Sequence, residues 1–151
     1  PLSLPLRYRL NELLAVFRYK NVKRPDGTIV KTPSIPITLT GKETFETIGS
    51  LDSGADISAI PKSIAELLGL SLEGDIEFAY GIGGKVKSIK STMKILVQKG
   101  HERYSLNVPV KVILDDYDFP ILLGRAGFFD KFVITFDQEN ERVMLKRRTE
   151  K

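Results

Sequence analysis

Turn signals recur so often along this chain that the segments between them have room for little besides short strands. The stretch "RPDGT" at 24–28 joins a proline that presets φ, an aspartate that bonds nearby backbone and a glycine that accepts positive φ, so it reads as a hairpin tip. Further turns are expected at Gly41, within "GIGG" at 81–84, near Gly100 and at Gln138 to Asn140. The segments they separate alternate apolar and polar residues, as in Ile35, Ile37 and Leu39, which is the two-residue period of a half-buried strand. Leu2, Leu4, Leu6, Tyr8 and Leu10 alternate too, with Pro5 confining that strand to a sheet edge, whereas "NELLAVFRYK" at 11–20 fits a short helix or a strand. Two places carry helical character. "PKSIAELLGL" at 61–70 has Pro61 at its start, Ile64, Leu67 and Leu68 on one face and Gly69 at its exit, and "RAGFFDKF" at 125–132 suggests a second short helix. The expected class is mostly β: a closed or strongly curled sheet with one or two short helices.

At 151 residues the chain is long enough for one packed core and too short for two ordinary domains to be expected. Its 42% apolar and 28% charged residues are ordinary for a globular protein. The absence of cysteine excludes disulfides, thiolate metal sites and cysteine nucleophiles together. His101 is the single histidine and falls at a turn, so a serine triad or a multi-histidine metal site lacks its materials. The net charge of +4 comes largely from "VKRPDG" and "LKRR", without the dense basic stripe and interleaved aromatics of a nucleic-acid surface. No apolar run is long enough to span a bilayer, and the cytoplasm is the expected location.

One motif carries chemistry. "SLDSGADISAIP" at 50–61 puts Asp52 on a sharp Ser-Gly turn between two apolar strands. Peptide hydrolysis by carboxylates needs two of them around one water, because like charges so close share a single proton and one then serves as base while the other serves as acid. The Ser53 hydroxyl can buttress such a loop, and Gly54 lets backbone come close to both carboxylate and substrate. The chain contains one such turn. Asp137 in "ITFDQEN" is not followed by Ser/Thr-Gly and is expected to shape a hairpin turn. Asp115, Asp116 and Asp118 lack the glycine and terminal glutamate of a calcium loop and read as a solvated loop. "GIGG" lacks the Lys-Ser/Thr of a phosphate loop.

"LDSGAD", followed by "YGIGGKV" and then "ILLGR", resembles the retropepsin-like aspartic proteases, the single-domain enzymes of retroviruses, retrotransposons and some cellular and prokaryotic proteins. The stretch "GRAGFFDKFVITFD" is closer to prokaryotic or cellular members than to viral ones. The resemblance implies a single-domain acid-protease-like closed β-barrel that is active as a homodimer, an aspartic endopeptidase acting on a polypeptide with no metal or organic cofactor. It makes Asp52 catalytic in each subunit and Ser53 the hydroxyl that interlocks the two catalytic loops. Gly54 would bond substrate backbone, with Ala55 and Asp56 bordering the groove and Asp56 paired with Arg125 of "LLGR". At the flap tip, the Ile82 amide would reach substrate through a water while Gly83 and Gly84 supply flexibility. Leu122, Leu123 and Gly124 would pack against the catalytic loop.

On this resemblance residues 33–146 form the protease domain, 1–32 an N-terminal extension with strands and candidate dimer contacts, and 147–151 a polar tail. "LKRRTEK" is too polar for interleaved terminal strands of the retroviral kind, which directs attention to residues 1–20 for the dimer interface. The alternative function is a non-catalytic dimeric module that keeps the fold and binds peptide or scaffolds an assembly.

Overall fold

The alternation at residues 34–51 folds as expected: β4 (Ser34–Thr40) and β5 (Thr44–Leu51) pair antiparallel across the Gly41 turn, burying Ile35, Ile37 and Leu39. The structure, a computed structural model, describes residues 14–24, 26–81, 84–116 and 119–148, so the alternating segment 2–10 lies outside the described residues. The ambiguous stretch after it is a strand, β1 (Leu14–Arg18). The "RPDGT" turn joins β2 (Lys20–Lys23) to β3 (Ile29–Thr32), and Asp26 accepts hydrogen bonds from the Thr28 amide at 2.9 Å and hydroxyl at 2.7 Å.

Beyond β5 come β6 (Ser58–Pro61), the helix α1 (Lys62–Leu68), β7 (Glu77–Gly81), β8 (Gly84–Lys99), β9 (Glu102–Ile113) and β10 (Ile121–Leu123). The chain ends in the β11 (Phe132–Asp137) and β12 (Arg142–Arg147) hairpin, which turns at Gln138 to Asn140 as expected. The large sheet runs β4-β5-β10-β6-β9-β8-β7, and β4 also pairs with β8 through Thr38–Thr40 and Lys94–Leu96. Hydrogen bonding thus passes from β4 through β5, β10, β6, β9 and β8 and returns to β4, leaving β7 outside the ring. A smaller sheet, β1-β12-β11, packs Ala15, Phe17, Val143 and Leu145 into the same core. The strand at 14–18 is therefore built into the core rather than appended to it.

Helix α1 sits where the sequence puts it, capped by Gly69 in the left-handed region at φ 69°. Its buried residues are Ala65 and Leu68, while Leu67 is 44% exposed, which corrects the expected apolar face. Successive helical residues turn by about 100°, so beside a buried Leu68 the preceding residue falls on the rim of so short a helix. The second expected helix is only a single 3-10 turn, Phe129–Lys131. Gly127, at φ 81°, breaks the helical path just before it. Phe128 is fully buried and packs its ring 5.2 Å from that of Phe132, which in turn meets Tyr104 edge-on at 5.2 Å. Among the described residues no helix is long and apolar enough to cross a membrane.

Phe128→Ala should lower unfolding free energy by about 3–5 kcal/mol, because a cavity replaces a fully buried ring. Urea denaturation followed by circular dichroism measures it.

Candidate active site

The strands that flank Asp52 do not pair with each other. β10 lies between them, parallel to β5 (Leu123 opposite Leu51) and antiparallel to β6 (Leu122 opposite Ala59). The loop 52–57 therefore bridges over an inserted strand, and that strand holds it from below. The Asp52 amide donates to the Leu123 carbonyl at 2.9 Å, and the Arg125 and Ala126 amides donate to the Ala55 and Asp56 carbonyls, both at 2.9 Å. Gly124 completes the seat. Its amide donates to the hydroxyl of the fully buried Ser58 at 2.9 Å, and a Cβ there would lie 2.7 Å from the Ile57 carbonyl carbon and 2.9 Å from the Ala55 oxygen. The expectation that Leu122, Leu123 and Gly124 pack against the loop coincides with this geometry.

Within the loop, Asp52 is half-buried and turns back on itself. Its Oδ1 accepts the Gly54 amide at 2.9 Å, and its carbonyl accepts the Ala55 amide at 3.2 Å. One carboxylate oxygen is thus oriented by backbone, and Ser53 and Gly54 stand exposed beside it. The carboxylate is fixed in orientation without being sealed from solvent.

Asp56 does not make the ion pair expected with Arg125. Its Oδ1 lies 3.5 Å from the ammonium of Lys111, while Arg125 directs its guanidinium to the Ser53 carbonyl at 3.4 Å. The reason is positional: β9 runs parallel beside β6 with Lys111 opposite Ala59, which brings the lysine stem along the wall of the loop. Partial burial pushes the Asp56 carboxyl up, but the Lys111 charge and the hydrogen bonds from Ile57 and Lys111 outweigh it and hold the group below the usual carboxylate range. Lys111 went unread in the sequence, although "VPVKVIL" showed it as the polar member of an alternating run.

β7 and β8 form the hairpin expected around "GIGG", pairing as far as Gly81 opposite Gly84, and Ile82 and Gly83 lie outside the described residues. Gly84 takes φ 105°, a value that suits glycine. On β7 Phe78 and Tyr80 are exposed, and the Lys85 ammonium stands 3.7 Å over the Phe78 ring. The root of this hairpin is tied down by the acidic loop: the Leu114 amide donates to the Lys87 carbonyl at 2.9 Å, and Asp115 accepts the Lys87 amide at 3.2 Å. Asp115 is thus a backbone anchor rather than merely solvated, and Asp118 lies outside the described residues. Asp137 accepts the amide and side-chain nitrogen of Asn140, the hairpin-turn role expected of it, and His101 is exposed at its turn. A cleft of about 780 Å³ opens on the other side of α1, between Lys42, Leu67 and Asp116, and none of the loop 52–57 lines it.

Two consequences can be measured. Ser58→Ala should cost about 1–3 kcal/mol in urea denaturation, since the Gly124 amide is left buried without its acceptor. Asp56 has a folded-state pKa below its unfolded one, so its contribution is present above the unfolded pKa and is lost as pH falls through the folded one. Asp56→Asn should therefore flatten the fall of stability with pH below about pH 4, read from urea midpoints.

The backbone has counterparts among solved structures. A retropepsin-like aspartic protease from Rickettsia conorii matches with a TM-score of 0.52 at 18% identity, covering 89% of this chain and 92% of that one. An inhibitor-bound EIAV protease matches with a TM-score of 0.41 at 22% identity, covering 63% of this chain and 83% of that one. No family model matches the sequence. No curated protein matches it either. The chain has the fold of the retropepsin-like aspartic proteases.

Proposed function

We propose that the chain is a homodimeric aspartic endopeptidase in which Asp52 of each subunit supplies half of one catalytic pair. The observation that carries this reading is the seat of Asp52: a half-buried carboxylate, oriented by the Gly54 amide and held over an inserted strand, on the one Asp-Ser-Gly turn of the chain. An isologous dimer sets equivalent residues face to face across its axis, which provides the second carboxylate. The likeness of fold to a retropepsin-like aspartic protease supports the same reading.

In this mechanism an extended polypeptide lies between the paired Asp52 loops and the flaps, adding strand-like hydrogen bonds. Gly54 and Ala55 meet its backbone, Asp56 borders the groove, and Ser53 interlocks the two loops. The Ile82 amide at the flap tip reaches substrate through a water, with Gly83 and Gly84 giving the tip its freedom. The two carboxyls share one proton, because two charges so close do not both ionise. A water held between them bonds to the scissile carbonyl carbon as the ionised carboxylate takes its proton, while the protonated partner donates to the carbonyl oxygen. The tetrahedral diol then collapses as the C–N bond breaks and a proton passes to the departing amine, restoring the starting inventory. The groove chemistry falls to residues of this chain throughout, and the reaction calls on no metal or organic cofactor.

The test is cleavage of a diverse peptide mixture between about pH 3 and 8 by the native chain and by Asp52→Asn at matched dimer content. The native chain should cleave with a bell-shaped acid-side optimum, and the variant should lose several orders of magnitude in rate while still binding peptide. Specific activity should also fall on dilution as dimers dissociate. A monomer with full activity would sink the shared-site reading, and binding without cleavage by the native chain would point to a non-catalytic peptide-binding module.

A further inference from the structure

The row of residues that leaves the Asp52 loop along the outer face of the large sheet changes character abruptly. Strand registers set Ser50, Leu122, Ala59, Lys111 and Lys90 side by side across β5, β10, β6, β9 and β8. The row faces away from the core, since the alternate neighbours Ile60, Val110, Val112 and Leu123 are buried. Nearest the loop it is formed by the half-buried Leu122 and Ala59. Beyond them it is cationic.

Lys90 and Lys111 are direct antiparallel partners, an arrangement that brings Cβ atoms to about 4.5–5.5 Å and in which like charges repel. Their carboxylates stand on opposite flanks. Lys111 meets Asp56 at 3.5 Å on the side of the catalytic loop, and Lys90 meets Glu77 at 3.6 Å on the side of the flap strand. The charges therefore run minus, plus, plus, minus across the sheet. A ladder serving stability alone would alternate in sign, whereas this one sets its two lysines side by side. Lys90 is 62% exposed and Lys111 is 23% exposed, so one is open to a ligand and the other is held in place.

We infer that Lys90 and Lys111 form a subsite that selects an acidic side chain on the bound polypeptide, a single carboxylate bridging both ammonium groups. The inference rests on reading the Asp52 groove as the place where peptide binds. A bridging carboxylate removes the lysine–lysine repulsion, and a neutral amide of the same shape does not, so discrimination is between Glu and Gln or Asp and Asn. It is electrostatic, so salt weakens it, and it vanishes below about pH 4, where the substrate carboxyl takes up its proton.

The experiment uses labelled eight-residue peptides that carry either Glu or Gln at each successive position. Binding to the full-length Asp52→Asn chain is followed by fluorescence anisotropy near pH 6 in low salt, and cleavage by the native chain is measured in parallel. At one position Glu should bind about tenfold more tightly than Gln. Lys90→Gln and Lys111→Met should each reduce that ratio several-fold, and Lys111→Glu should reverse it in favour of Gln. Lys90→Gln lies at an exposed position and keeps the fold, which an unchanged urea midpoint checks. Equal binding of Glu and Gln at every position, a preference indifferent to both lysine substitutions, or no binding of any peptide would overturn the subsite. A preference that survives in Asp52→Asn while the native chain cleaves nothing would uphold the subsite and reject peptide hydrolysis instead.

Discussion

Everything about the candidate site depends on the insertion of β10 between β5 and β6. Without it those strands would pair directly and a tight turn would suffice between them, leaving no reason for a loop like 52–57. With it, the loop must cross a strand, and its backbone groups find partners in that strand and in the turn that follows it: Leu123 beneath Asp52, and Arg125 and Ala126 beneath Ala55 and Asp56. The same insertion explains Gly124, where backbone of the loop comes within contact distance of where a side chain would begin. A loop is ordinarily the least determined part of a fold, and here it is fixed at nearly every residue. Chemistry that needs a carboxylate held in one orientation is compatible with such a loop and with few others.

The sheet also connects the loop to the β7–β8 hairpin by a short mechanical route. β9 lies beside β6 on one edge and beside β8 on the other, so the strand that carries Lys111 to Asp56 also carries Leu114 and Asp115 toward Lys87. The Asp52 loop and the β7–β8 hairpin are thus positioned from one strand. A change in β9 register would move both, by a whole side-chain face, which makes register here more consequential than at the small β2–β3 hairpin.

Much of this was legible in the sequence because it rests on local rules. Hairpins at Gly41, Gly100 and 138–140 follow from turn chemistry, and the Asp52 loop announced itself by composition. What failed to show was non-local. The Asp56 partner is decided by which strand settles beside β6, and sequence spacing cannot rank Lys111 against Arg125 for that place. The loss of the second helix is decided by the burial of Phe128 against Phe132 and by the backbone of Gly127, which a helical pattern in "RAGFFDKF" does not reveal. Leu67 was misplaced for a related reason, since a helix of two turns has a rim nearly as wide as its face.

The long strand β8 has two mechanical regimes. From Ser88 to Lys99 it is flanked by β9, and at Lys94–Leu96 by β4 as well, so this part is clamped within the body of the sheet. From Gly84 to Lys87 its strand neighbour among the described residues is β7. Ser88, which is buried and paired on both sides, marks the point of support. The β7–β8 ribbon is therefore a cantilever whose beam continues unbroken into the core, and a two-stranded ribbon of that kind bends at far lower cost than the sheet that anchors it. A load on the ribbon is delivered as torque at Ser88, close to the cross-strand partners Lys90 and Lys111.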